Sequence, residues 1–498
     1  MKKVWIILLL LTCIGTFAAC EGGEEILSDG VFFYSLSSDD SYYILSSINI
    51  NETRREFSVP ESFQGKPIKG IADSVFARVP QVEKVILPDS IEYIDDHAFQ
   101  DCAALKTVVF PKNLKMIGES AFTGCTSLES VVIPDGGNTL EIKSSAFSGC
   151  TNLQTVSLPK QMDSIGNGAF ADCTSLQNLS MPTQMNRLGE GVFRGCTSLS
   201  SLTIPEGVQK VSQGLCSGSS VSSITLPDSL SRIEALFDFA PSGFADCKSL
   251  QEIRVGAGNP YLNCVDGVLY SEDGKTLIAY PPCLQGEHFA VPETVKNIAS
   301  NAFHSNQNLT SIQLPAGLES IGELAFAGCL RLAAIEIPHG ISYIEGSTFA
   351  HCAALTDVTL PDSVKKLCDS AFAYCAALES IVLPESIISI ADDVFCGCTV
   401  LKEINIPSRV TRIACFANCT SLESIVLPDA VTRISYDAFN GCTSLKEINI
   451  PEKVKYIDER AFYGCTALQD IYISKNVEIL STSTFENCPN LTIHYLYS

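Results

Sequence analysis

The stretch "AFTGCTSLESVVIP", Ala121 to Pro134, returns as "AFSGCTNLQTVSLP" (146–159), "AFAYCAALESIVLP" (371–384) and "AFNGCTSLKEINIP" (438–451). Aligned on Phe-x-x-Cys, the chain has cysteines at 102, 125, 150, 173, 196, 247, 329, 352, 375, 398, 419, 442, 465 and 488, most of them 23 residues apart. Val79, Gly218 and Asn306 fill the same slot in three further units, which makes 17 units. Within Leu378–Pro384, Ile381 and Leu383 point to one side and Ser380 and Val382 to the other, the period of a strand. Pro384 closes that strand, having no N–H to give a neighbour. A second apolar pair follows, Ile387 and Ile390, and the Ala371-Phe372 step is expected on a short helical turn that plugs the coil. One such coil cannot bury its own apolar residues, but stacked coils bury them against each other. With strands about 4.8 Å apart, the reading is one repeat solenoid on the order of 80 Å long.

Leu-x-x-Ile-x-Leu at 378–383 is the strand signature of leucine-rich repeats. Together with the 23-residue period, I-x-L-P and A-F-x-x-C, it resembles the BspA-like (Treponema pallidum-type) leucine-rich repeat family over about residues 71–498. The resemblance implies an α/β-type leucine-rich-repeat solenoid, with a strand and a short helical turn per coil and a parallel concave sheet. It also implies a bacterial cell-surface protein, often an adhesin.

Two segments break the period. Val31–Tyr34 and Tyr42–Leu45 surround Ser37-Ser38-Asp39-Asp40 and read as a hairpin that caps the first coil. Val265–Tyr270 and Thr276–Tyr280 flank Glu272-Asp273-Gly274-Lys275, and Asp-Gly between strand-like runs signals a second, inserted β-hairpin, expected to project from the solenoid or bend it. A smaller insertion, Ala235 to Ser242, reads as a packed bulge or a binding loop. The expected layout is a lipoprotein signal peptide (1–19), tether and cap (20–70), repeats (71–255), inserted hairpin (256–291) and repeats (292–498).

A cysteine at one point of each coil can be a disulfide, a metal ligand or a packing residue. Ladder cysteines stack in register with parallel side chains, whereas a disulfide needs converging Cβ atoms. Cys247 has Gly218 and Asn306 in its neighbouring slots, and the five from Cys102 to Cys196 are odd in number, so pairing along the ladder leaves orphans. One ligand per coil in a line does not make a tetrahedral metal site. The slot therefore reads as a small buried residue that hydrogen-bonds a turn. Off the ladder, Cys264 and Cys283 flank the inserted hairpin and either pair or stay free. Cys216, Cys368, Cys396 and Cys415 have no partner that sequence names.

Lys2 and Lys3, an apolar run from Val4 to Leu11 and Ala18-Ala19-Cys20 form a secretory signal that resembles a lipobox, with Cys20 as the lipidated residue and Phe17 in place of the usual leucine. The expectation is an outer membrane lipoprotein exposed at the cell surface, touching the membrane only through its lipid. A formal net charge of −23 argues against a nucleic-acid partner. H-E-x-x-H and G-x-S-x-G are absent, and no catalysis, metal or cofactor is expected. A ligand is expected on outward strand positions of the concave face: Glu252, Arg254, Glu336, Asp357, Thr359, Val382, Glu403, Asn405, Val426, Glu447, Asn449, Asp470 and Tyr472. Its class is a macromolecule, either a host or matrix protein or the glycan of a surface polysaccharide system.

Overall fold

The computed structural model describes residues 27–49, 51–233, 244, 246–479 and 481–496. The chain winds as a parallel-strand solenoid of about 19 turns with coils of about 23 residues. Two turns exceed the 17 aligned units because each hairpin segment also completes a coil: Tyr43–Ile48 and Glu56–Ser58 form one, Thr276–Ala279 and His288–Ala290 the other.

Each coil carries two strands where the sequence announced one. Lys84–Ile86, Thr107–Val109, Ser130–Val132 and their successors make a first ladder, in register from Lys84 to Thr107 and from Ser130 to Thr155. The second apolar pair of each repeat makes another: Tyr93–Ile94 pairs parallel with Met116–Ile117, and Tyr343–Ile344 with Lys366–Leu367. Val85, Val131, Ile94 and Ile117 point inward and are fully buried. The proline of I-x-L-P separates the two strands, so the coil turns there without losing a ladder bond.

The expected helical turn at Ala-Phe is not a helix, and among the described residues the only helical element is a single 3-10 turn, Thr482–Phe485. The backbone explains why. Ser120 and Gly124 bracket Phe122 with φ of 54° and 73°, and His97 and Asp101 bracket Phe99 with 55° and 57°. A right-handed helix excludes such left-handed residues. It would also keep every N–H within the coil. Here alternate N–H groups leave it: those of His97, Phe99 and Asp101 donate to Glu119, Ala121 and Thr123 of the next coil at 2.7–2.8 Å, while Gln100 N–H turns back to His97. The plug is thus a third line of inter-coil hydrogen bonding. Its phenylalanines stack along the axis, Phe99 on Phe122 at 4.8 Å and Phe326 on Phe349 at 5.2 Å.

The inserted hairpin does not project. Leu262–Val265, Val268–Ser271 and Thr276–Ala279 are antiparallel neighbours, and the last pairs parallel with Asn297–Ile298 in the second ladder. The run read as one strand, Val265–Tyr270, is folded at Asp266-Gly267, both with positive φ (51° and 81°). The N-terminal cap has the same plan: Leu27–Ser28, Phe32–Leu36 and Tyr43–Ile48 are antiparallel, and the last pairs parallel with Lys66–Ile71. Asp29-Gly30-Val31 and Asp266-Gly267-Val268 open the two copies. The inserted hairpin is therefore a second cap that restarts the solenoid. One buried cluster runs from Phe32 to Ala279 and includes Leu269; a second runs from Val268 to Ile473 and includes Tyr270 and Leu277. The hairpin gives side chains to both.

Candidate functional site

The outward residues of the first ladder form one continuous column on the C-terminal unit. Its strands shorten there to two residues, Ser380–Ile381, Glu403–Ile404, Ser424–Ile425 and Glu447–Ile448. Val382 and Val426 follow the paired residues and are 77% and 76% exposed. Between and beyond them stand Asn405 and Asn449, whose amides are used internally. Asn405 Nδ2 donates to the Leu383 carbonyl at 2.7 Å and its Oδ1 accepts from the Leu383 N–H at 2.8 Å. Asn449 repeats this on Leu427, at 2.8 and 2.6 Å. These two side chains replace the missing ladder bonds, so each holds a strand end and keeps one amide N–H for an outside partner.

Tyr472 closes the column at 54% exposure. His494, which the sequence reading passed over, stacks on its ring at 4.7 Å and reaches Asp470 Oδ1 at 2.6 Å. The parallel pairing of Asp470–Ser474 with Thr492–Leu496 places Tyr472 opposite His494. A tyrosine two residues after an acid, followed one coil later by histidine, was the available signal. Glu336, Asp357, Thr359, Glu403 and Glu447 are all exposed. Arg254 is turned onto Glu252 by two hydrogen bonds, Nε to Oε1 at 2.7 Å and Nη2 to Oε2 at 2.9 Å, so this pair is neutralised within its own strand. The strip is thus two isolated valines and a Tyr–His–Asp end, bordered by unpaired Glu403 and Glu447.

The ladder cysteines, Cys247 apart, are packing residues. Each thiol donates to the carbonyl of the plug phenylalanine one coil back: Cys125 to Phe99 at 3.1 Å, Cys150 to Phe122 at 3.2 Å, Cys375 to Phe349 at 3.2 Å. Asn306 does the same work with its amide, donating to Pro281 and Pro282 and accepting from Asn308 and Leu309. Burial pushes the Cys102 and Cys196 thiols up to about 12 from an ordinary 9.0. Of the two alternatives for Cys264 and Cys283 the structure shows the free pair, and the expectation that Cys247 stays unbridged is corrected. Cys264 and Cys283 are free: their thiols donate to different carbonyls, Ile253 and Lys248, each at 2.9 Å. The bridge is Cys216–Cys247. Gly218 occupies the ladder slot of its coil, and Cys216, two residues earlier, turns to the otherwise partnerless Cys247.

The BspA type leucine rich repeat region matches residues 69–141, 129–251, 279–399 and 365–492, in 6 copies. The chain belongs to the BspA type leucine-rich repeat family. Members of this family are bacterial surface proteins. A leucine rich cell surface protein of Faecalibacterium prausnitzii is 26% identical over 86% of this chain and 95% of its own, with a TM-score of 0.54. A leucine-rich repeat protein of Bacteroides ovatus is 21% identical over 94% of this chain and 99% of its own, with a TM-score of 0.48. The leucine-rich repeat protein of T. pallidum is 20% identical over 62% and 91%, with a TM-score of 0.31. No curated protein matches the chain.

Among the described residues no group of three or more His, Cys, Asp or Glu side chains could hold a metal ion, and no helix is long and apolar enough to cross a membrane. The signal and lipobox, with Cys20, and the insertion 235–242 lie outside the described residues.

Proposed function

We propose that this protein is anchored to the outer membrane by lipid on Cys20, faces the cell exterior, and binds a host or matrix protein without catalysing a reaction. The observation that carries the reading is the exposure of Val382 and Val426 in one column ending at Tyr472. β-Branched residues left this bare on a sheet face form the apolar centre that a protein interface requires, and Glu403 and Glu447 supply its polar rim. An aromatic anchor at one end suits a hot spot. The face is open and long, which fits a macromolecule better than a small molecule.

Protease shaving of intact cells tests the location. The repeats should be cut when a known surface protein is cut; survival of the repeats under those conditions refutes surface display. Replacing Cys20 with Ala should release the chain from the membrane fraction. For binding, a matrix-protein array is probed with the wild-type chain and with Val382→Asp/Val426→Asp. Loss of bound partners with an unchanged melting temperature supports the strip, and retained binding removes it from consideration.

A further inference from the structure

A second site lies on the other ladder. Thr432, Glu452, Lys453, Val454, Lys455, Tyr456, Asn476 and Glu478 line an open groove of about 520 Å³ across three successive coils. Register sets its geometry: Arg433 pairs with Tyr456, and Tyr456 with Glu478, so the tyrosine stands in the middle of the trough. Its ring is 39% exposed. The Arg433 guanidinium lies 5.7 Å from the ring centroid while bonded to Asp458 at 2.7 Å, which occupies one side of the ring with a charge already neutralised.

The polar lining brings charges of both signs into one concavity. Several lysines pair with a carboxylate one coil away, Lys112 with Asp89, Lys402 with Glu379 and Lys446 with Glu423, each at 2.8 Å, which spends both charges. In the groove, Lys453, Lys455, Glu452 and Glu478 share one concavity, and among the described residues none reaches an oppositely charged partner within ion-pair distance. The Asn476 amide is also unused, and Thr432, which donates to the Thr411 carbonyl at 3.1 Å, keeps its lone pairs for an incoming donor.

We propose that this groove binds an uncharged polysaccharide. Sugar hydroxyls both donate and accept, so they satisfy separated ammonium and carboxylate groups at once. Two ammonium groups and two carboxylates balance, which gives an anionic chain no net attraction. The part of the Tyr456 ring left exposed to the trough supplies an apolar surface against which the C–H groups of a pyranose rest, while its polar tip serves hydrogen bonding. The trough is open along its length, as a site for an internal stretch of polymer must be. This proposal rests on the groove alone and is independent of the first-ladder strip.

Affinity electrophoresis of the purified full chain tests it. The probes are gels containing neutral β-glucan, xylan, mannan or dextran, with polygalacturonate and heparin as anionic counterparts. Retardation is expected in at least one neutral gel. There Tyr456→Ala should weaken binding about tenfold, the scale of one lost aromatic anchor. Tyr456→Phe should keep most of it, and Val382→Asp/Val426→Asp should leave it unchanged. The proposal is overturned by retardation in the anionic gels alone, by retardation in no gel, or by neutral-gel binding that Tyr456→Ala does not weaken. A circular-dichroism melt of each variant separates lost contact from lost fold.

Discussion

The two solenoid units begin with the same Asp-Gly hairpin and use the same coil, yet they treat their outward valines differently. In the N-terminal unit Ile86, Val109 and Val132 occupy adjacent coils, in three-residue strands whose register brings Ile86 beside Val109. They are 36%, 45% and 53% exposed, less than the C-terminal valines, as expected where β-branched side chains follow one another coil by coil. In the C-terminal unit asparagines alternate with the valines and fold back onto the backbone, so Val382 and Val426 have no apolar neighbour in the column. The same residue type is self-covering scaffold in one unit and free surface in the other. What decides is the neighbour one coil away, not the residue.

The largest test of how far the units differ uses pH. Buried thiols hold raised values in both units: Cys102 and Cys196 reach about 12 in the first unit, Cys398 and Cys442 about 12 in the second. Folding therefore favours the neutral thiol. Above pH 9 the unfolded chain ionises first, so the contribution is complete below pH 9 and is lost as pH rises toward 12. Each such thiol loses up to about 1.4 kcal/mol per pH unit in that window. Several together approach the whole stability of a domain, about 5–15 kcal/mol. Cys216 and Cys247 are bridged and do not titrate. The C-terminal unit, with Cys352, Cys375, Cys398, Cys419, Cys442 and Cys465 in line and Cys415 buried beside them, should open first in an alkaline titration followed by hydrogen exchange. Equal stability at pH 8 and pH 10.5 would remove the thiol ladder from the account.

Next come the plugs. Phe122→Ala and Phe372→Ala should each cost about 3–5 kcal/mol, since both rings are fully buried in a stack. Two buried clusters meeting at one hairpin predict that Phe372→Ala leaves amide protection around Val108 and Val131 intact. Equal loss of protection in both units would show that the hairpin couples them into one cooperative core. Removing the disulfide with Cys247→Ser is a smaller, one-sided change. It frees a loop of sequence separation 31 and should cost about 2–4 kcal/mol in the N-terminal unit alone. Cys283→Ser should shift the melt far less, because that thiol makes a single half-exposed hydrogen bond.

Much of this was legible in the sequence. Repeats announce themselves, and the ladder cysteines other than Cys247 could be assigned to packing because Asn306 and Gly218 share their slot. The second strand per coil was visible only as an apolar pair, since two residues are too short for a period to emerge. The plug was misread as helical because Ala-Phe at fixed spacing looks the same whether the backbone is right-handed or alternates hand. The left-handed residues, Ser120 or His97, carry no common side chain. Cys216 could not be matched to Cys247 because the pairing depends on a two-residue offset from the ladder. Among the candidate site residues, Asn405 and Asn449 looked like plain ligand donors in a column; only the position of the Leu383 and Leu427 backbone shows that each also holds a strand end.

The smallest expected effect bears most directly on the opening contrast. Val109→Ser and Val132→Ser remove methyl groups from a column of β-branched neighbours, and each should lower stability by about 0.5–1 kcal/mol. Val382→Ser and Val426→Ser remove methyl groups that touch little but water, and should stay within about 0.5 kcal/mol of wild type. Both pairs exchange the same atoms on the same strand position, so strand propensity is common to them. The difference between the pairs, read from urea midpoints at constant slope, isolates mutual cover. If the C-terminal valines cost as much as the N-terminal ones, they are covered in solution and the strip is not free. If neither pair costs anything, the N-terminal column is as available as the C-terminal one, and a binding face would have to be sought along the whole ladder.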